Sequence, residues 1–149
     1  MTATMTTIKK HFTAIGFDYG KKTTGLAVGQ SLTGTASELS VIRFGETKQS
    51  QRVQWDLVKK LVQEWKPATL VVGWPLNMDG TESDFCEEVK RFAEKLQKQT
   101  GCPVQLMDER LTSREAKMDS KKKTSDYRNN PVDSYAAKLM LESWFRENP

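Results

Sequence analysis

Three acidic positions in this sequence are placed to hold a divalent cation. Asp18 closes the apolar run Phe12-Thr-Ala-Ile-Gly-Phe-Asp18 and is followed by Tyr-Gly. Asp108 and Glu109 close a second run, Pro103-Val-Gln-Leu-Met-Asp108. Asp133 sits at the start of a helical pattern, just after Asn130-Pro131-Val132. Each has a plain structural use as well. Asp before Gly favours turns, Glu109 beside Arg110 makes a surface pair, and an acid in a first helical turn suits the helix dipole. Neighbouring strand residues point to opposite faces, so at most one of Asp108 and Glu109 faces a shared site. Taken together, two strand ends and a helix start can converge on one edge of a sheet. Clustered carboxylates repel and call for a cation, and ligands that are all oxygen suit Mg²⁺ or Mn²⁺. Such ions clamp a phosphodiester and generate a hydroxide nucleophile.

The elements that must position these acids follow from periodicity. Phe12 to Asp18 reads as a first strand, Gly25-Leu-Ala-Val-Gly29 as a second and Ser37 to Phe44 as a third, forming an antiparallel meander. In the second strand Leu26 and Val28 point one way. Gly25, Ala27 and Gly29 point the other, leaving room for close approach. Gln51 to Lys66 has helical spacing, with Val53, Leu57, Leu61 and Trp65 predicted to face inward and Pro67 ending the helix. Thr69 to Gly73 reads as a buried parallel strand. A loop from Trp74 to Thr81 follows, then a helix from Ser83 to Gln99 with Phe85, Val89, Phe92 and Leu96 inside, stopped by Gly101. Pro103 to Asp108 is the fifth strand. Thr112-Ser-Arg-Glu115 resembles a capping box. Asn130-Pro131 opens a last helix running to Asn148, with Val132, Ala136, Leu139 or Met140, and Trp144 inward. The order βββαβαβα makes an α/β fold: a five-stranded mixed sheet, three antiparallel strands then parallel ones, flanked by helices with Asp18's strand central.

Composition narrows the class. The chain has 149 residues, 37% hydrophobic and 28% charged, which suits one soluble domain. Residues 1–11 are polar and Thr-rich without the apolar run of a signal peptide, and read as a flexible N-terminal extension. No stretch approaches the ~20 apolar residues of a membrane span, so no membrane partner is expected. Two cysteines without a CxxC pair and a single His11 argue against zinc and for reduced thiols in the cytoplasm. The net charge is +4, a surplus matched by the segment 110–128 alone, where seven basic residues stand among three acidic ones. Arg110, Arg114, Lys121, Lys122 and Lys123 of that segment are candidate phosphate contacts, against the alternative of a solvated loop. Asn77, in the loop stiffened by Pro75 and Asp79-Gly80, is a further candidate, for a phosphate or for holding a carboxylate in place.

These residues also carry a resemblance. Asp18-Tyr-Gly-Lys-Lys-Thr-Thr-Gly-Leu-Ala-Val-Gly-Gln with Leu32-Thr-Gly-Thr-Ala36, then Val71-Val-Gly-Trp-Pro-Leu-Asn-Met-Asp-Gly-Thr-Glu82, Asp108-Glu-Arg-Leu-Thr-Ser113 and Val132-Asp-Ser-Tyr-Ala-Ala137, resemble the four motifs of the YqgF family. The resemblance implies an RNase H-like fold related to Holliday-junction resolvases. It implies a metal-dependent nuclease that matures the 5′ end of 16S ribosomal RNA. Ribosomal particles are an expected partner, and the chain is expected as a monomer or homodimer. It also implies Asp18, Glu109 and Asp133 as the catalytic, metal-binding acids. A junction resolvase on branched DNA, or a non-catalytic nucleic-acid-binding assembly factor, are the alternatives. Two positions depart from the pattern. An RNase H-like nuclease carries an acid at the end of its fourth strand, where this chain has Gly73-Trp74, so that Glu109 stands in for it. The segment after Thr112 is lysine-rich where the family usually carries glycines.

Overall fold

The computed structural model describes residues 11–110 and 133–149, with the backbone alone at residue 133. The sequence features at Thr112–Glu115 and Asn130–Val132, and the basic residues Arg114, Lys121, Lys122 and Lys123, lie outside the described residues.

Five strands form one sheet in the order β3-β2-β1-β4-β5. They are β1 (Thr13–Tyr19), β2 (Thr24–Gln30), β3 (Thr35–Ile42), β4 (Thr69–Trp74) and β5 (Val104–Asp108). β1 pairs antiparallel with β2, and β2 with β3, while β4 runs parallel to both β1 and β5. The mixed sheet with a central β1 is therefore as expected. Three helices are described: α1 (Lys48–Trp65), α2 (Cys86–Thr100) and α3 (Asp133–Glu147).

The two faces of the sheet are built differently. Ile15, Phe17, Leu26, Val28, Leu70 and Val72 form a large-residue face that packs under α1 and α2. Ala14, Ala27, Ala36 and Val71 form a small-residue face that packs under α3. Glycines complete the second face. A methyl at Gly29 would stand 2.5 Å from Phe145 and 3.1 Å from Leu141, and one at Gly16 would stand 3.1–3.2 Å from Met140 and Leu141. The room anticipated along β2 is thus filled by α3. On that helix Ala137, not Ala136, turns fully inward, together with Met140, Leu141, Trp144 and Phe145.

α2 buries the expected Val89, Phe92 and Leu96, and ends at Gly101 in the left-handed conformation (φ 74°). α1 departs from expectation. It starts earlier, at Lys48, because the Thr47 side chain accepts a hydrogen bond from the Ser50 backbone N–H at 3.0 Å. It buries Trp55, Val58 and Val62, whereas Val53, Leu57 and Trp65 are 56%, 39% and 38% exposed. The helix carries two apolar stripes, and the indole decides which one turns in. Trp55 packs against Phe44 at 5.0 Å and Phe92 at 5.7 Å between ring centroids. An aromatic side chain of that area outweighs a valine and a half-covered leucine.

Two stability measurements test this packing. Trp55→Ala should cost ~3–5 kcal/mol in urea denaturation, while Val53→Ala should cost under ~0.5 kcal/mol. Similar costs would mean the other stripe is buried. Gly29→Ala should cost ~1–3 kcal/mol, because neither Phe145 nor the Thr35 carbonyl at 2.9 Å can withdraw freely. An unchanged denaturation midpoint would show that α3 does not lie so close.

Candidate active site

Asp18 lies at the C-terminal end of β1, paired with Gly25. Strand alternation puts it on the same face as Ala14 and Gly16, the face under α3. Glu109 follows β5 directly, and the backbone turns helical at 109–110. It shares the parity of Met107, which is buried on the α3 side. Its side chain reaches across β4. A methyl at Gly73 would fall 2.8 Å from both Cγ and Cδ of Glu109 and collide with Oε1. Phe17 and Val72 are paired in parallel on β1 and β4, so Gly73 is one residue beyond, beside Asp18. Above that glycine the carboxyl groups of Glu109 and Asp18 share a hydrogen bond. Burial pushes the Glu109 carboxyl above its usual range; the bond to Asp18 offsets part of that rise, and the nearby Asp108 charge adds to it.

Backbone geometry relates the start of α3 to the end of β1. Leu141 and Phe145 approach Gly29, which pairs with Ala14 of β1. Met140, Leu141 and the carbonyl of Ala137 approach Gly16. Four helical residues advance ~6 Å and two strand residues ~6.6 Å, so helix and strand keep step in opposite directions. One more such step carries β1 to Asp18 and α3 to its first residue, Asp133.

Asp108 takes the opposite course from Glu109. Its carboxylate accepts from Arg110 at Nε (3.0 Å to each oxygen), at Nη2 (2.7 Å) and at the backbone N–H (2.9 Å). That pairing holds its carboxyl below the usual range. Arg110 also donates from Nη1 to the Met78 carbonyl at 3.3 Å. Residues 108 and 110 thus grip each other on either side of Glu109 and tie the loop 74–82 to the end of β5.

The loop itself is braced from within. Asn77 Nδ2 donates to Thr81 Oγ1 at 3.0 Å and to the Glu82 carbonyl at 3.3 Å. Asp79 accepts from the Thr81 hydroxyl at 2.6 Å, which holds its carboxyl below the usual range. Asn77 and Arg110 were candidate phosphate contacts; the bonds described for them stiffen the rim of the site. On the large-residue face, Tyr19 stacks on Phe92 and Phe85, and its hydroxyl donates to Glu88 at 3.0 Å. Burial pushes the Tyr19 hydroxyl up to about 12. The end of β1 is thereby fastened to α2. Sequence reasoning missed Tyr19 and the Asp108–Arg110 grip, and it named Gly73 only as the place where an acid is absent. The Asp-x-Arg spacing was the available signal for the grip.

Two carboxyl groups in contact require a proton or a cation between them. An oxygen-only pair, with a glycine clearing its space, fits a hard divalent ion such as Mg²⁺ or Mn²⁺. Among the described residues no group of three or more His, Cys, Asp or Glu side chains is arranged around a metal position; the described donors here are two.

Residues 12–147 match the model of the RuvX family, described as Holliday junction resolvase. The chain belongs to that family. It is the family that the sequence resembles under the name YqgF. The RuvX member described here is 45% identical over 139 residues to a Saccharophagus degradans protein named "putative pre-16S rRNA nuclease", covering 92% of this chain and 95% of that one. It is 47% identical over 137 residues to an Azotobacter vinelandii protein of the same name, covering 91% and 94%. Among solved structures, Thermus thermophilus RuvC in complex with a Holliday junction substrate superposes with a TM-score of 0.58 at 16% identity, over 91% of this chain and 94% of that one. That likeness shows the RNase H-like fold.

The seat over Gly73 can be tested directly. The methyl of Gly73→Ala meets the flexible end of Glu109, which can swing away, so stability should change little. The Glu109 carboxyl should leave Asp18, and a misplacement of ~1 Å costs ~100-fold in rate. Nuclease assays beside thermal melts check this. Full activity would detach Glu109 from the reaction.

Proposed function

We propose that this RuvX protein is a divalent-metal-dependent endonuclease that matures the 5′ end of precursor 16S ribosomal RNA, with Asp18, Glu109 and Asp133 as its catalytic and metal-binding acids. The observation that carries this reading is the contact of the Asp18 and Glu109 carboxyls over Gly73, at the sheet edge toward which α3 begins. The names of the relatives support RNA as the substrate. Branched DNA is the second reading, favoured by the family's description as a junction resolvase.

In this scheme Asp18 and Glu109 hold Mg²⁺ or Mn²⁺, with Asp133 completing the set from the start of α3. Such an ion, when bound, would supply charge neutralisation at the phosphate and would make a nearby water more acidic. The chain's own residues supply position. Asp108 and Arg110 aim Glu109, Gly73 clears its path, and the stacked Tyr19 fixes the end of β1 that carries Asp18. The braced loop 74–82, with Asn77 and Arg110, forms a rim beside the site. Arg114, Lys121, Lys122 and Lys123 are proposed as further phosphate contacts, supported by the local surplus of positive charge. The family match begins at residue 12, which supports reading residues 1–11 as an extension to one nuclease domain. The free thiols Cys86 and Cys102 support a cytoplasmic setting, where ribosomal particles are within reach. No helix among the described residues is long and apolar enough to cross a membrane.

Cleavage of precursor 16S RNA and of a four-way DNA junction should be compared side by side with Mg²⁺, Mn²⁺ and EDTA. Wild-type protein should cut the RNA with metal and not in EDTA, and Asp18→Asn should lose at least ~10–100-fold. Asp18→Asn should melt no lower than wild type in EDTA, and should gain less from Mg²⁺ by linkage. A purified Asp18→Asn protein that cuts normally sinks the assignment, and preference for the junction selects the second reading. Replacing Lys121, Lys122 and Lys123 with alanine should reduce the salt slope of RNA binding by up to ~3, at ~0.7–0.9 per phosphate contact.

A further inference from the structure

The outer side of α1 carries an apolar stripe that the fold does not use. Val53, Leu57, Leu61 and Trp65 are four apart, so they lie along one side of the helix. Val53, Leu57 and Trp65 are 56%, 39% and 38% exposed, and Leu61 is only partly covered by the core. A row of charged residues flanks this stripe on the side away from the core: Arg52, Asp56, Lys60 and Glu64, all exposed. Its signs run plus, minus, plus, minus. Reversed end for end, that row reads minus, plus, minus, plus.

We propose that α1 is the interface of a homodimer, in which two copies of the helix pack antiparallel about a two-fold axis. A two-fold axis perpendicular to the plane of both helices sets each row against its own reversed copy. Arg52 then faces Glu64 of the second copy and Asp56 faces Lys60, so all four facing pairs are of opposite sign. Parallel packing about a two-fold axis along the helices would carry the row to the opposite flank of the second copy and leave its signs unmatched. In the same arrangement Val53 lies toward the second copy's Trp65, and Leu57 toward its Leu61, burying the stripe along a helix of 18 residues, ~27 Å long. The one described ion pair in the row, Asp56 with Lys59 at 3.8 Å, is exposed and weak enough to yield. α1 packs on the large-residue face, whereas Asp18 and Glu109 open toward the α3 face. Both active sites of the dimer stay accessible.

Sedimentation equilibrium of the full chain over a wide concentration range tests this, with a thermal melt of each variant to verify its fold. Wild type should dimerise with a Kd of ~1–100 µM, as a small interface does. Leu57→Asp, at the centre of the stripe, should raise the Kd at least ~100-fold. Lys60→Glu sets two like-charged pairs into the interface and should raise it ~10-fold. Adding Asp56→Lys in the same chain restores opposite signs at both and should bring the Kd back within ~3-fold of wild type. A wild-type chain that stays monomeric to ~0.5 mM overturns the proposal and leaves the stripe to a different protein or to another part of the chain. A dimer untouched by Leu57→Asp overturns it too, by placing the interface elsewhere. A double swap no better than Lys60→Glu alone overturns the antiparallel pairing.

Discussion

A helix can lie close against a sheet only where the sheet's side chains are nearly absent. In this protein that condition is met on one face by Ala14, Gly16, Ala27, Gly29 and Ala36, and there α3 settles so near that single methyl groups would collide with it. The opposite face carries Ile15, Phe17, Leu26 and Leu70 and holds its helices at the distance those side chains set. This asymmetry arranges the site. Because α3 lies close and antiparallel to β1, its first residue reaches the level of the strand's last acid. A bulkier small-residue face would lift the helix and move its first turn away from the end of β1.

Much of this was legible in the sequence. The strands, their order and direction, the inner face of α2 and its stop at Gly101 all follow from alternation, periodicity and glycine placement. Asp18 and Glu109, which the structure brings into contact, were also visible as candidates, because carboxylates at strand ends are conspicuous after apolar runs. The α1 face was not legible. Val53, Leu57, Leu61 and Trp65 make a regular stripe, and so do Trp55, Val58 and Val62. Periodicity weighs both alike, and the choice rests on aromatic contacts with Phe44 and Phe92, far along the chain. The sequence also could not show which partner Arg110 takes. Glu109 is its neighbour, but the fork of the guanidinium closes on Asp108.

The grip between Asp108 and Arg110 gives Glu109 a fixed starting point, although it stands just past a strand where chains usually loosen. Two of its neighbours are occupied with each other and with the Met78 carbonyl, which leaves Glu109 as the acid free to cross the sheet. On the other side of the site, the stacking of Tyr19 between Phe85 and Phe92 gives Asp18 a comparable anchor. Both acids thus stand next to residues whose own side chains are immobilised, an arrangement that suits a site in which small displacements are costly.

The Glu109 side chain over Gly73 also has an evolutionary consequence. A carboxylate that grows from β4 and one that arrives from β5 would occupy the same volume, so the two positions exclude each other. An acidic side chain at 73 would displace the Glu109 carboxyl from Asp18, and a Glu109 carboxyl seated there leaves room only for glycine at 73. Neither site can drift alone, and a lineage moving the acid from one strand to the other must alter both together. Within such a fold the ligand keeps its place in space while its address in the chain changes.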